Sequence, residues 1–229
     1  MLFGVGTGFG GLQDILQQNQ GSRSGPSVSK ARERIQANPR DAQAYRDLST
    51  ALQNDGKLAE SIAPLAKYVE LRRTDADAKT ELAGLYLREA EIYRTEAQAA
   101  SAALQEAVPG QLFQPPPTSK VGQALANDPI SSAISTKYND ALSKAYAKMQ
   151  ENYTKAVGVY KQLAESDAGR RDPSVQLGLA QTAELAGDTK TAVAAYKRFL
   201  NLAPEDPSAP AVKDRIKQLQ SQVSALPGG

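Results

Sequence analysis

The sequence predicts an all-α fold: an α-solenoid of three helix pairs, with a long antiparallel helical arm inserted in the middle pair and a capping helix at the carboxyl end. Three observations predict it. A pattern of small and large apolar residues returns after 131 positions. A heptad run of alanines and tyrosines follows the first copy. Alanine is abundant while aromatics make up only 6% with no Trp, as suits closely packed helices.

Residues 1–27 read as a segment without fixed structure. Met1 to Gly11 is apolar and Gly-rich, and Gln20-Gly21-Ser22-Arg23-Ser24-Gly25-Pro26-Ser27 has the composition of a flexible linker. The opening lacks the basic start and long apolar stretch of a signal peptide. Two readings stay open for it: a floppy terminus, or the last turn of a membrane tether whose beginning lies upstream of Met1. Order is expected from Val28, with Ser27 capping a short helix that ends before Asn38-Pro39.

The repeat follows. Leu48, Ser49, Leu52, Gly56, Ser61, Leu65 and Tyr68 are matched, 131 positions on, by Leu179, Ala180, Ala183, Gly187, Ala192, Tyr196 and Phe199. Arg73 stands where Pro204 closes the later copy. Gly56 and Gly187 fall at a chain reversal, where tolerance of positive φ is needed. Small residues mark close helix approach and large ones fill the groove between. A middle copy is split: Leu82, Ala83 and Tyr86 lie 34 positions past Leu48, Ser49 and Leu52, while its second helix reappears as Ala156, Tyr160 and Leu163. The expected turn at Glu89-Ala90-Glu91 has no Gly or Pro, so the helix runs on.

The predicted repeats cover about 42–75, 76–90 with 151–170, and 173–206, within a helical domain spanning 28–226. The inserted arm covers about 91–150. Its outgoing helix has a heptad seam at Tyr86, Ala90, Tyr93, Ala97, Ala100, Leu104 and Ala107. The returning helix offers Ile134, Tyr138, Ala141, Ala145, Met149, Tyr153, Ala156 and Tyr160, less strictly spaced. At 1.5 Å per residue the arm projects about 27 Å. Its tip, Pro109 to Pro129, carries the apolar residues Leu112, Phe113, Val121 and Leu125. They either fold back on the arm or form a docking hook. A polar capping helix over about 210–226 closes the array.

Composition narrows the chemistry. The chain has neither Cys nor His, which removes disulfides, thiol catalysis and the commonest catalytic base and transition-metal ligand. Net charge is only +2, from 27 basic and 25 acidic residues, too balanced for a nucleic-acid-gripping domain. No segment approaches the ~20 continuous apolar residues that span a bilayer. Gly6-Thr7-Gly8-Phe9-Gly10-Gly11 matches a dinucleotide fingerprint in form alone, because no strand precedes it. No pair of carboxylates shares a helix face in the way acid–base catalysis needs. Catalytic residues, metal ligands and cofactor sites are therefore not expected, and a carboxylate-based enzyme is the most distant reading. Arg72-Arg73 and Arg170-Arg171 each follow a second helix. They either favour its C-terminal dipole or meet an anion or lipid headgroup.

The segment from Leu179 through Gly187-Asp188 and Tyr196 to Pro204, with Tyr45, Leu48, Gly56 and Leu65 in the first copy, resembles the tetratricopeptide repeat. Tyr45 stands where that family often has Trp, and Tyr68 departs from its usual small residue. The resemblance implies that the first helix of each pair lines a concave groove that binds a protein or peptide. The implied groove residues are Gln43, Arg46, Thr50, Gln53 and Asn54; then Asp77, Thr80, Gly84, Leu87 and Arg88; then Ser174, Leu177, Gln181, Glu184 and Leu185. The Asn and Lys set that some members use to clamp a peptide's terminal carboxylate is missing. The chain also resembles bacterial membrane-tethered proteins of this family, which implies an envelope setting. Two non-catalytic roles stay open: an adaptor for a protein partner, and a structural subunit that self-associates through the arm.

Overall fold

In the computed structural model, residues 26–107, 116, 118–122 and 129–225 are described, and among them the chain is all-helical with no strand. The α-helices are α1 Val28–Ala37, α2 Ala42–Asn54, α3 Leu58–Leu71, α4 Ala76–Ala107, α5 Pro129–Glu165, α6 Pro173–Leu185, α7 Thr189–Leu202 and α8 Ala209–Ala225. A single 3-10 turn, Gly169–Arg171, sits between α5 and α6. The chain forms two compact units, one up to Tyr68 and the other from Val69 onward. The Gly-rich opening and most of the arm tip lie outside the described residues.

In the first unit, α1 begins at Val28 as expected. Ser27 stands at its N-cap, but its hydroxyl pairs with Ser29 Oγ at 2.9 Å and makes no cap bond to the helix. Ala31, with Val28 and Ile35, packs on Leu48 and Leu52 of α2. Arg34 ties the two helices from outside, at 2.9 Å from Asp41 and 2.6 Å from Asp47. Ser49 is fully buried and donates to the Ser61 carbonyl of α3 at 2.9 Å. A small residue there lets the two helix backbones approach closely.

The α2–α3 and α6–α7 connections are built alike. Gly56 and Gly187 both have φ 74°, the left-handed region that costs L-residues free energy. In the first turn, Asp55 N–H donates to Ala51 O at 3.0 Å, Gly56 N–H to Gln53 O at 3.0 Å and Lys57 N–H to Leu52 O at 2.8 Å. In the second, Ala186 donates to Thr182 at 3.0 Å, Gly187 to Glu184 at 3.0 Å and Asp188 to Ala183 at 2.8 Å. Every partner is displaced by the same 131 positions. The long bond in each turn satisfies a carbonyl that the helix end would otherwise leave orphaned. The paired core residues are also buried alike: Leu48 and Leu179, Ser49 and Ala180, Leu52 and Ala183, Ser61 and Ala192.

The helix starts carry the same register. Asp41 accepts from Ala44 N–H at 3.0 Å, Asp75 from Ala78 N–H at 2.9 Å, Asp172 from Ser174 N–H at 2.8 Å and Asp206 from Ser208 N–H at 2.8 Å. Asp75 follows Asp41, and Asp206 follows Asp172, by 34 positions. Asp41, Asp75 and Asp172 each satisfy a donor at a helix start, an arrangement worth about 1 kcal/mol, while Asp206 does the same in the turn before α8.

In the second unit the stretch expected to form an inserted arm belongs to two long helices. α4 has 32 residues and α5 has 37. They run antiparallel: Lys155 lies 5.7 Å over the Tyr86 ring, and Tyr93 lies near Lys148. Ala90, Ala97 and Ala100 are buried along α4, as the heptad predicts. The α5 seam differs from the expected one. Ala141 is exposed, and Leu142 takes its place as a half-buried residue. With that change Tyr138, Leu142, Ala145, Met149, Asn152, Ala156, Val159 and Leu163 alternate four and three apart, a strict heptad. One step along a helix is a rotation of about 100°, enough to turn Ala141 to solvent.

The C-terminal part of α5 packs with α6, α7 and α8 around Val157, Ala164, Leu179, Tyr196 and Phe199. Val212, Ile216 and Leu219 of α8 close this core, so the last helix caps it with its apolar side. Each large apolar side chain fully buried here contributes about 1.5–3 kcal/mol over exposure.

Candidate protein-binding face

The face implied for partner binding is a set of side chains three or four positions apart, which share one side of a helix. On α2 they are Gln43, Arg46, Thr50, Gln53 and Asn54. Gln43 is exposed and donates to Asp47 at 2.9 Å. Thr50 Oγ1 donates to the Arg46 carbonyl at 3.0 Å, and Gln53 Nε2 to Ser49 Oγ at 3.3 Å. The Arg46 guanidinium is half-buried, 5.5 Å from the Tyr68 ring centroid, which holds it against the first unit. Asn54 ends the helix and is exposed.

In the second unit the α4 stripe runs Asp77, Thr80, Gly84, Leu87 and Arg88. Thr80 and Arg88 are exposed, and Leu87 is half-buried. Thr80 Oγ1 donates to the Ala76 carbonyl at 3.0 Å. No atom lies within 4 Å of where a Cβ on Gly84 would sit, so this glycine opens onto free space. The α6 stripe is Ser174, Leu177, Gln181, Glu184 and Leu185. Ser174 and Gln181 are exposed, Leu177 is half-buried, and Leu185 is 55% exposed. An exposed leucine beside polar neighbours is the feature of this stripe best suited to gripping a partner.

Glu184 is occupied within the chain. Its carboxylate accepts from Arg215 Nε of α8 at 2.9 Å and from Tyr196 Oη at 3.1 Å. The Arg215 guanidinium beside it holds the carboxyl below its ordinary range, against a smaller opposing effect of burial. Burial and the neighbouring carboxylate push the Tyr196 hydroxyl up to about 12. Glu184 therefore helps anchor the capping helix rather than standing free to meet a ligand. Compared with known proteins, the chain matches no family model and no curated protein.

Of the four apolar residues of the arm tip, only Val121 lies among the described residues, and it is 60% exposed. Leu112, Phe113 and Leu125 lie outside them. Further down the arm, Ile92 and Tyr146 are 46% and 52% exposed. At the arm's base Lys155 and Lys148 flank Glu151 and hold its carboxyl at about 2. Among the Arg pairs, Arg170 donates to the Glu165 carbonyl at 3.0 Å, at the C-terminal end of α5, in keeping with the helix-end reading. No cluster of three or more potential metal-ligating side chains occurs among the described residues. No helix there is long and apolar enough to cross a membrane.

Proposed function

We propose that this chain is a non-catalytic protein-binding scaffold, with its helix pairs acting as tetratricopeptide-like repeats of an α-solenoid. The observation that carries the reading is the α6 stripe. Leu185 offers an exposed apolar anchor and Leu177 a half-buried one that also packs against the core, among the polar Ser174 and Gln181, on a first helix whose turn repeats the hydrogen bonds of α2–α3. A mixed face with a few apolar anchors suits reversible peptide binding, because aliphatic burial supplies affinity and the polar rim stays solvated when empty. Gly84 favours close approach of a partner's backbone to α4, since nothing of the chain's own fills that space. The test is affinity capture with the full chain against Leu185→Asp and Leu177→Asp variants. A partner retained by the wild-type chain and lost from both variants supports the reading. A partner set unchanged by both substitutions removes it.

A second reading is a self-associating structural subunit, favoured by Ile92 and Tyr146, two large side chains left half in water along the arm. Solution mass decides between the two readings. An oligomer that becomes a monomer when residues 91–150 are deleted assigns assembly to the arm; a monomer throughout assigns the chain to the adaptor role. The resemblance to membrane-tethered proteins supports a bacterial envelope setting for either role, and sequence upstream of Met1 encoding an apolar stretch of about 15 residues or more tests it.

A further inference from the structure

The stretch between α5 and α6 breaks the repeat in a specific way. Seven positions separate Tyr68 from Asp75, and seven separate Phe199 from Asp206, but nine separate Leu163 from Asp172. The 3-10 turn Gly169–Arg171 lies in this longer connection. The turn has little room to relax. Gly169 is buried, and a Cβ on it would lie 2.1 Å from the Leu163 carbonyl oxygen. Its N–H donates to Ser166 Oγ at 3.1 Å, and its carbonyl accepts from Nε2 of the fully buried Gln176 at 3.3 Å.

This rigid turn presents Arg170 at the rim of a hollow of about 470 Å³ between α5 and α7. Glu165 stands beside it, and Arg198, Asn201 and Leu202 form the other wall. Two further hollows, about 210 and 250 Å³, both lined by Lys161, continue along the same valley. The valley is open because its lining is small: Ala164 and Ala194 stand there, and no atom lies within 4 Å of where a Cβ on Gly158 would sit. Leu202 is 40% exposed at one end.

The charges are unbalanced. Lys161 is paired with Asp188 at 3.1 Å, and that same carboxylate caps α7 through Thr191 N–H at 3.0 Å. This leaves Arg170 and Arg198 against the single carboxylate of Glu165. Arg170 uses one N–H on the Glu165 backbone carbonyl, and Arg198 is exposed with no ion pair among the described residues. Two guanidinium groups converging on one hollow match a carboxylate, which accepts paired hydrogen bonds from their planar forks.

We propose that the α5–α7 valley is a second docking site, separate from the α6 stripe, which takes an acidic peptide segment of a partner protein. A partner carboxylate sits between Arg170 and Arg198, and a partner apolar side chain covers Leu202. Arg170 lies in the α5–α6 connection, where the spacing from core residue to aspartate is two positions longer than in the α3–α4 and α7–α8 connections.

The experiment uses the full chain and a short fluorescein-labelled peptide of Glu and Leu, with the same peptide carrying Lys for Glu as control, read by fluorescence anisotropy. The acidic peptide binds and the basic one does not. Arg198→Glu and Arg170→Glu each weaken binding about tenfold or more, as expected for reversing a charge in a docking site. Both residues are exposed, so circular dichroism of these variants matches the wild type. Leu185→Asp leaves the peptide affinity unchanged, which separates this site from the one on α6. Equal binding of the acidic and basic peptides, or wild-type affinity in both charge reversals, overturns the proposal. So does sedimentation with phosphatidylglycerol vesicles that is lost in Arg198→Glu while the acidic peptide shows no binding, because the valley would then be a headgroup site.

Discussion

Arg215 of α8 reaches back 31 positions to Glu184 of α6 and donates to a single carboxylate oxygen through Nε and through a second guanidinium nitrogen. Tyr196 Oη donates to the other oxygen. Arg215 keeps the Glu184 carboxyl below its ordinary 4.5. A carboxyl depressed on folding contributes stability above its unfolded pKa, and that contribution is lost as pH falls through the folded value. The chain should therefore lose stability on acidification below about pH 4.5, and Glu184→Gln should flatten part of that loss. At neutral pH the substitution should cost roughly 1 kcal/mol or less, because both side chains remain partly in water. Urea denaturation of both proteins at neutral and acid pH measures this, and an identical acid response in the two contradicts it.

The same cluster acts with the opposite sign at high pH. The Tyr196 hydroxyl is pushed from its ordinary 10 up to about 12, first by burial and then by the Glu184 charge. A folded pKa raised above the unfolded one means stability that is whole below 10 and is lost as pH climbs toward 12. Tyr196→Phe removes the ionisable group, so thermal melts between those pH values should show a shallower alkaline decline than in the wild type.

Two glycines should respond oppositely to alanine. Gly187 has φ 74°, where a Cβ meets its own backbone, so Gly187→Ala should destabilise by about 1–2 kcal/mol. Gly84 lies inside α4, with nothing near the position of a Cβ. Gly84→Ala should stabilise by roughly 0.5–1 kcal/mol by restricting the unfolded chain. Chemical denaturation followed by circular dichroism reads both signs, and stabilisation by Gly187→Ala would show that the turn relaxes to another conformation.

The features legible in the sequence were those with local causes. The 131-position register was readable because close helix approach demands small residues and a reversal demands glycine, and both demands fall on single positions such as Ser61 and Gly56. The α4 seam was readable for the same reason. The phase of α5 was not, because Ala141 and Leu142 are adjacent and either fits an alanine-rich seam; only the partner helix selects between them. The aspartates at helix starts, Asp41, Asp75 and Asp172, with Asp206 in the turn before α8, were a readable signal that pattern matching on apolar positions passes over. So was the longer connection after α5, since the offsets of its two flanking helices differ by two. The engagement of Glu184 was not readable, because its partner lies on a helix whose rotation depends on packing Val212, Ile216 and Leu219 into the core.

The arm's alanines permit a test of its close packing. Ala97 is 2% exposed on the seam of α4, while Ala99, two positions on, is exposed. Positions two apart on a helix point to different sides. Ala97→Leu must force α4 and α5 apart or displace Tyr93 and Ala100, and should destabilise by about 1–3 kcal/mol. Ala99→Leu adds the same atoms in water and should change stability by about 0.5 kcal/mol or less. Intrinsic helix propensity hardly separates the two variants, since both replace Ala by Leu, so the difference between their melting temperatures reports the seam alone. A larger effect at Ala99 than at Ala97 would mean that the outer face of α4 is itself a packed surface in solution, the result expected if arms from two copies associate. Repeating the Ala99→Leu melt at several protein concentrations then tells overpacking within one chain from disruption between chains, because only the second shifts with concentration.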